Sequence, residues 1–237
     1  MDGLLARLAE APGEAGILLD VDGTLAPIVV RPEEACVPDD ARKELRRLAD
    51  RYALVACVSG RTGAEAAELV GVEGIEYVGV HGLELDPRAD EWRPRLRAFA
   101  DEVDRPVEDK GVTMAFHYRG ARDESQARAE LEGVAERARA EGLDARFGRK
   151  VLEVRPPLRT DKGEAVRRLL AERDLRRALY AGDDTTDLDA FRGLGEAELE
   201  VAVRVAVASP EAPAALVETA DLVVGGPAGL LDLLHAL

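Results

Sequence analysis

GILLDVDGTL, residues 16–25, decides the fold. It runs from an apolar stretch, Gly16 to Leu19, into two aspartates, Asp20 and Asp22, and then into Gly23-Thr24. A short apolar run that ends in an Asp-Gly turn reads as a buried strand of a parallel sheet. In open sheets of this kind ligands bind beyond the carboxyl ends of the strands, where these aspartates fall. Two residues apart in extended chain, the carboxylates would point to one side about 6–7 Å from each other, leaving room for a reacting group. Gly23 permits the sharp turn out of the strand. Taken alone, the stretch is equally well a strand followed by an ordinary turn.

Outward from it, short apolar runs alternate with amphipathic helical stretches, the pattern of parallel α/β architecture. A helix is expected to begin near Pro38-Asp39, followed by a strand at Leu54–Ser59, a helix from Thr62 and a strand around Tyr77–Val80. The pattern returns late in the chain. A helix from Asp161 precedes a strand at Ala178–Asp183, a helix after Thr186, a strand at Val201–Val207, a short strand at Leu222–Val224 and a helix started by Pro227.

The middle differs. A helical stretch spans Ser125–Glu141, and the alternating segments VTMAFHYR (Val112–Arg119) and KVLEVR (Lys150–Arg155) suit an antiparallel sheet with one solvated face. Pro87 and Pro156-Pro157 bracket this region as linkers. The expected fold is α/β: a Rossmann-like parallel-sheet core of residues 1–86 and 156–237, with an inserted α+β cap domain at 87–155.

Composition narrows the function. Of 237 residues, 46 % are hydrophobic, ample for a packed core. A formal net charge of −15 argues against general nucleic-acid or anionic-membrane binding. Cys36 and Cys57 cannot build a disulfide framework and are expected to be reduced. The opening MDGLLARLAE lacks a signal-peptide layout, and no run approaches the roughly 18 apolar residues of a membrane span. A soluble, cytoplasmic monomer with no nucleic-acid or membrane partner is expected. Among the 32 basic residues only Lys43, Lys110, Lys150 and Lys162 are lysines. In a chain that otherwise uses arginine, a lysine marks a place where a compact ammonium suits better than a planar fork.

A second acidic group shifts the reading of the first. AGDDTTD places Asp183 and Asp184 at another strand end, with Asp187 close to a helix start. Hard oxygen ligands of this sort suit Mg²⁺, which binds through a few carboxylates together with water and substrate phosphate. Carboxylates converging from two strand ends resist ionising together without a cation. VSGR sets Ser59 at a strand end, where its hydroxyl and the amides from Gly60 onward can hydrogen-bond an oxyanion. TDKG sets Lys162 at a helix start, an ammonium for a phosphate.

In this order, LDVDGT, SGR, DKG and GDDTTD resemble the four motifs of the haloacid-dehalogenase-like phosphatases. The resemblance implies that Asp20 is a nucleophile that forms an aspartyl-phosphate. Asp22 would protonate the departing alcohol and then activate water, while Ser59 and Lys162 hold the phosphoryl oxygens. Mg²⁺ would bind Asp20, the main-chain carbonyl of Asp22 and Asp183, with Asp184 and Asp187 completing its acidic surroundings. The physical logic agrees: a carboxylate attacking a phosphate dianion needs cations nearby.

The separation of 103 positions from Ser59 to Lys162 exceeds what one crossover requires, and an insert there is expected to be a cap that closes over the site. It carries VEDKG with Glu108 and Lys110, HYR with His117 and Arg119, and KVLEVRP with Glu153. Mixed charges of this kind suit a polyhydroxylated ligand, or equally a solvated sheet face. With VSGR, YVGVHG, DKG and GDDTTDLDAF, these segments are similar to the trehalose-6-phosphate phosphatase family over nearly the whole chain. The resemblance implies that Glu108, Lys110 and Glu153 grip sugar hydroxyls. Val80 and Leu188 depart from that family, which commonly has polar residues there. Arg61, His81 and Arg119 are further candidate substrate contacts; each also fits a structural position.

The small-molecule partner expected is therefore a sugar phosphate. The alternatives are a phosphatase for sucrose phosphate or mannosylglycerate phosphate, a catalytically silent sugar-phosphate-binding protein, and a phosphomutase.

Overall fold

The structure is a computed structural model that describes residues 2–29, 35–148, 150–210 and 212–237. In chain order, α1 (Asp2–Ala9) leads to β1 (Ala15–Leu19), α2 (Asp39–Arg51), β2 (Leu54–Val58), α3 (Gly63–Val70) and β3 (Glu76–Val78). Then come α4 (Arg93–Asp101), β4 (Glu108–Asp109), β5 (Met114–His117), α5 (Glu124–Ala140), β6 (Asp144–Gly148) and β7 (Val151–Arg155). The chain closes with α6 (Lys162–Ala171), β8 (Arg177–Gly182), α7 (Thr185–Glu196), β9 (Val201–Ala208), α8 (Ala214–Thr219), β10 (Leu222–Gly225) and α9 (Gly226–His235).

These elements divide into two compact units, one of Met1–Gly82 with Thr160–Leu237 and one of Leu83–Arg159. The first holds a six-stranded sheet in the order β10-β9-β8-β1-β2-β3, every pairing parallel. All residues of β1 and β2 are buried, as strands covered on both faces require. One core cluster joins Ile17 and Leu19 of β1 and Val55 and Cys57 of β2 to Leu45 and Leu48 of α2 and to Leu230, Leu233 and Leu234 of α9. From β1 the chain proceeds to β2 and β3 on one side, and its later strands β8, β9 and β10 lie on the other. The strand order therefore reverses at the β1–β8 pair, and a crevice opens beyond the carboxyl ends of strands at such a point.

The second unit is an antiparallel sheet in the order β4-β5-β7-β6. Met114, Phe116, Leu152 and Val154 are buried in one cluster with Leu96 and Phe99 of α4 and Leu131 and Ala135 of α5. Alternation leaves Ala115, His117 and Glu153 on the other face. In this register Glu108 pairs with Ala115, Ala115 with Glu153, and Glu153 with Arg146.

Three local outcomes differ from the sequence expectation. β3 ends at Val78, because Val80 and His81 take left-handed backbone, with φ of 49° and 53°. Helix α7 starts at Thr185, two residues earlier than the sequence pattern suggests, because Asp184 caps it. The helices α1, α4 and α8 and the strands β4 and β6 were not anticipated.

Candidate active site

Asp20 follows β1 and Asp183 follows β8, so adjacent strands deliver both carboxylates to the point where the strand order reverses. The Asp20 amide donates to the Ala181 carbonyl at 2.9 Å, which carries the sheet pairing up to Asp20. Asp187 lies in the first turn of α7 and Lys162 opens α6. Oxygens of Asp20, Asp183 and Asp187 lie within 4.8 Å of one another, and all three residues are buried. Into this group reaches the buried Lys162, whose Nζ donates to Asp20 Oδ1 at 2.6 Å and to Asp187 Oδ1 at 2.7 Å.

Asp187 is surrounded by donors. Besides Lys162, its Oδ1 accepts from the Tyr180 hydroxyl at 2.7 Å, and its Oδ2 accepts from the amides of Asp183 at 2.9 Å and Asp184 at 2.8 Å. Each oxygen thus holds two donors. Asp183 has more freedom, with the Thr24 hydroxyl donating to its Oδ1 at 3.3 Å. Its carboxylate also lies where a Cβ on Gly23 would sit, so glycine at 23, with φ of 86°, is required both for conformation and for space.

The electrostatics follow from burial. Burial lifts the Asp20 carboxyl well above the usual carboxylate range, with Lys162 opposing and Asp187 and Asp183 adding to the rise. Asp183 is pushed up to about 6, by burial first and then by Asp187. Burial alone would lower the Lys162 ammonium, yet Asp187 and Asp20 outweigh it and hold it firmly protonated. One buried ammonium against three buried carboxylates leaves a surplus of negative charge. A hard divalent cation fits that surplus, and the all-oxygen donor set suits Mg²⁺.

Asp22 and Asp184 stand apart from this cluster. Asp22 is half-exposed and faces Arg61, whose Nε and Nη2 donate to its Oδ2 and Oδ1, both at 2.7 Å. The exposed Asp184 accepts from the Thr185 amide at 2.6 Å as the cap of α7. Ser59 is buried just past β2, and its Oγ accepts from the Arg61 amide at 3.1 Å. The strained Val80-His81 corner is tied to this loop, the Val80 amide donating to the Arg61 carbonyl at 2.8 Å and the His81 amide to the Ser59 carbonyl at 2.9 Å. The His81 ring lies against Gly60, where a Cβ would come within 2.8 Å of it. Asp20, Asp183, Asp187 and Lys162 thus meet directly, while Ser59, Gly60, Arg61 and His81 form a neighbouring loop cluster.

In the second unit, Lys110 Nζ lies 3.6 Å from Glu153 Oε1 and His117 Nε2 lies 2.6 Å from Glu108 Oε2, on the polar sheet face. Arg119 is exposed beyond the end of β5. Sequence reasoning missed Thr24 and Tyr180, which touch the acidic cluster directly. The signal for Tyr180 was a lone hydroxyl in an apolar strand, which has to find a buried partner.

Comparison with known proteins identifies the family and the fold. The profile of the family described as Trehalose-phosphatase matches residues 18–105 and 93–216. A protein of Mycobacterium tuberculosis named as an uncharacterized glycosyl hydrolase is 35 % identical over 79 % of this chain and 16 % of its own length. A trehalose-phosphate phosphatase of Mycobacterium bovis is 34 % identical over 91 % of this chain and 59 % of its own length. The chain therefore spans less than two thirds of either relative's length. The C-terminal domain of Candida albicans trehalose-6-phosphate phosphatase superposes with a TM-score of 0.71 at 23 % identity, covering 98 % of this chain and 94 % of that one. The fold is that of haloacid-dehalogenase-like hydrolases.

Proposed function

The chain belongs to the trehalose-phosphatase family, and from that premise we propose that it is a Mg²⁺-dependent phosphatase that hydrolyses trehalose 6-phosphate to trehalose and phosphate. The observation that carries the reading is the buried group of Asp20, Lys162, Asp187 and Asp183 at the reversal of strand order.

Asp20 is the nucleophile. Its carboxylate attacks phosphorus, the bond from phosphorus to the sugar oxygen breaks, and Asp22 gives that oxygen a proton. Water then cleaves the aspartyl-phosphate; Asp22 takes the water's proton, phosphate leaves, and both carboxyl groups return to their starting states. Lys162, with the Ser59 hydroxyl and the Gly60 amide, holds the phosphoryl oxygens as charge builds on them. Arg61 aims Asp22 through its two-pronged contact and can share its guanidinium with the phosphoryl group.

Asp20 and Asp183 would hold the Mg²⁺ through their carboxylates, with the main-chain carbonyl of Asp22. Its charge offsets the repulsion between Asp20 and an incoming phosphate dianion. Asp184 and Asp187 support this group from its edge, Asp184 by capping α7 and Asp187 by anchoring Lys162 and the amides of Asp183 and Asp184.

The second unit reads the leaving group. Glu108 and Glu153, which pair with the small Ala115 from the strands on either side of it, would grip sugar hydroxyls on this reading, with Lys110 beside Glu153. His81 and Arg119 are further substrate contacts on this reading.

A phosphate-release panel with and without chelator tests the proposal. Trehalose 6-phosphate is expected to turn over fastest, and chelator to abolish release until Mg²⁺ is restored. Faster turnover of sucrose phosphate or mannosylglycerate phosphate would overturn the choice of sugar. Binding of a sugar phosphate without any release would overturn the enzymatic reading.

A further inference from the structure

After Arg177 at its start, β8 carries one polar side chain, Tyr180, in the apolar run Ala-Leu-Tyr-Ala-Gly. Tyr180 is fully buried, and its ring stands edge-on to Phe191, centroids 6.2 Å apart. Its hydroxyl donates to Asp187 Oδ1 at 2.7 Å. Burial, reinforced by Asp187, pushes the phenol well above its ordinary range, so the hydroxyl keeps its proton and serves as a donor.

Asp187 Oδ1 is thus shared between two donors from different elements: the Tyr180 hydroxyl from β8 and the Lys162 ammonium from α6, each at 2.7 Å. Lys162 spans to Asp20 Oδ1 at 2.6 Å. With the hydroxyl in place, Lys162 supplies only part of what Oδ1 requires. Without it, Lys162 is left as the only side-chain donor to that oxygen among the described residues, and the ammonium is drawn toward Asp187 and away from Asp20. A displacement of this kind matters most for a group that must meet developing charge at a fixed point.

We propose that Tyr180 is a positioning residue for phosphoryl transfer: through Asp187, its hydroxyl sets where the Lys162 ammonium sits between Asp187 and Asp20. The inference rests on the proposed phosphatase reading and deepens it. Its rival is that Tyr180 only fills space beside Phe191.

Tyr180→Phe keeps the ring and removes one oxygen. Two readouts separate the cases. First, the chain has only four lysines, and Lys162 is the most buried of them, with a side chain 2 % exposed against 72 % for Lys43, 14 % for Lys110 and 46 % for Lys150. Labelled with ¹⁵N-lysine, the protein should show the Lys162 ammonium as a slowly exchanging NMR signal. Second, kcat and KM for trehalose 6-phosphate are measured with the melting temperature.

The proposal expects the Lys162 signal to shift or broaden and kcat to fall about tenfold, with KM changed less than twofold. An unmoved Lys162 signal with wild-type kcat, whatever the melting temperature does, overturns it. If the wild type releases phosphate from no sugar phosphate, the phosphatase reading fails separately, and the ammonium signal alone then decides the Tyr180 contact. Should the Phe variant not fold, 3-fluorotyrosine placed at 180 keeps the shape and strengthens the donor. The same signal must then move, and a stationary one overturns the proposal.

Discussion

Asp183 shows how burial and charge bear on one residue. Its carboxyl titrates near 6 instead of the ordinary 3.8, because burial and Asp187 disfavour its charge. The folded protein therefore holds a proton there that the unfolded chain releases between these two values. Without Mg²⁺, stability falls as pH rises through that window, and Asp20, also raised, adds to the fall in the same direction. A bound cation reverses the preference, so Mg²⁺ should raise the melting temperature strongly at pH 7.5 and weakly at pH 5. Thermal melts in chelator and in Mg²⁺ across this range check it. A metal-free protein equally stable from pH 4 to pH 7, with a Mg²⁺ effect independent of pH, would contradict the account. At this scale the sequence revealed residue types better than partners. Asp20, Asp183, Ser59 and Lys162 were legible because each ends a strand or opens a helix with a side chain suited to phosphate. The Arg61–Asp22 pair joins positions 39 apart, and the Tyr180 hydroxyl has a partner only once α7 has turned back over β8.

Among the elements, α6 and α7 matter most, because they carry Lys162 and Asp187. They touch where neither has a side chain: a Cβ at Gly193 would land on Gly163 backbone, and one at Gly163 would land on the Asp189 carbonyl. Gly163 follows Lys162 directly, so this close approach fixes the ammonium's reach to Asp187. Gly193→Ala has better intrinsic helix propensity, yet it should destabilise the protein by about 1–3 kcal/mol through overpacking. It should also reduce kcat, as α6 withdraws. Denaturant melts and turnover measured together check both, and a variant as stable and active as the wild type would contradict the packing argument. The same scale explains what composition hid. β1, β2 and β8 were legible as unbroken apolar runs, whereas α4 buries only Leu96, Phe99 and Ala100 in an arginine-rich stretch, and β6 buries only Ala145. β4 is two residues long, too short for any periodicity.

For the whole molecule, a net charge of −15 and an anionic substrate are compatible because the relevant field is local. Lys162 and a divalent cation would act inside a buried acidic shell, where charge is screened far less than at the surface. No helix among the described residues is long and apolar enough to cross a membrane. The division of labour also follows the chain: the parallel-sheet unit holds every residue of the proposed phosphoryl transfer, and the antiparallel unit holds Glu108, Lys110 and Glu153. The central claim is that Asp20 is the nucleophile for trehalose 6-phosphate, and Asp20→Asn tests it, since asparagine keeps the shape and lacks the attacking charge. Phosphate release from trehalose 6-phosphate in saturating Mg²⁺ should be rapid for the wild type and at least about 10³-fold slower for a folded Asp20→Asn protein. Wild-type turnover by that variant would contradict the account.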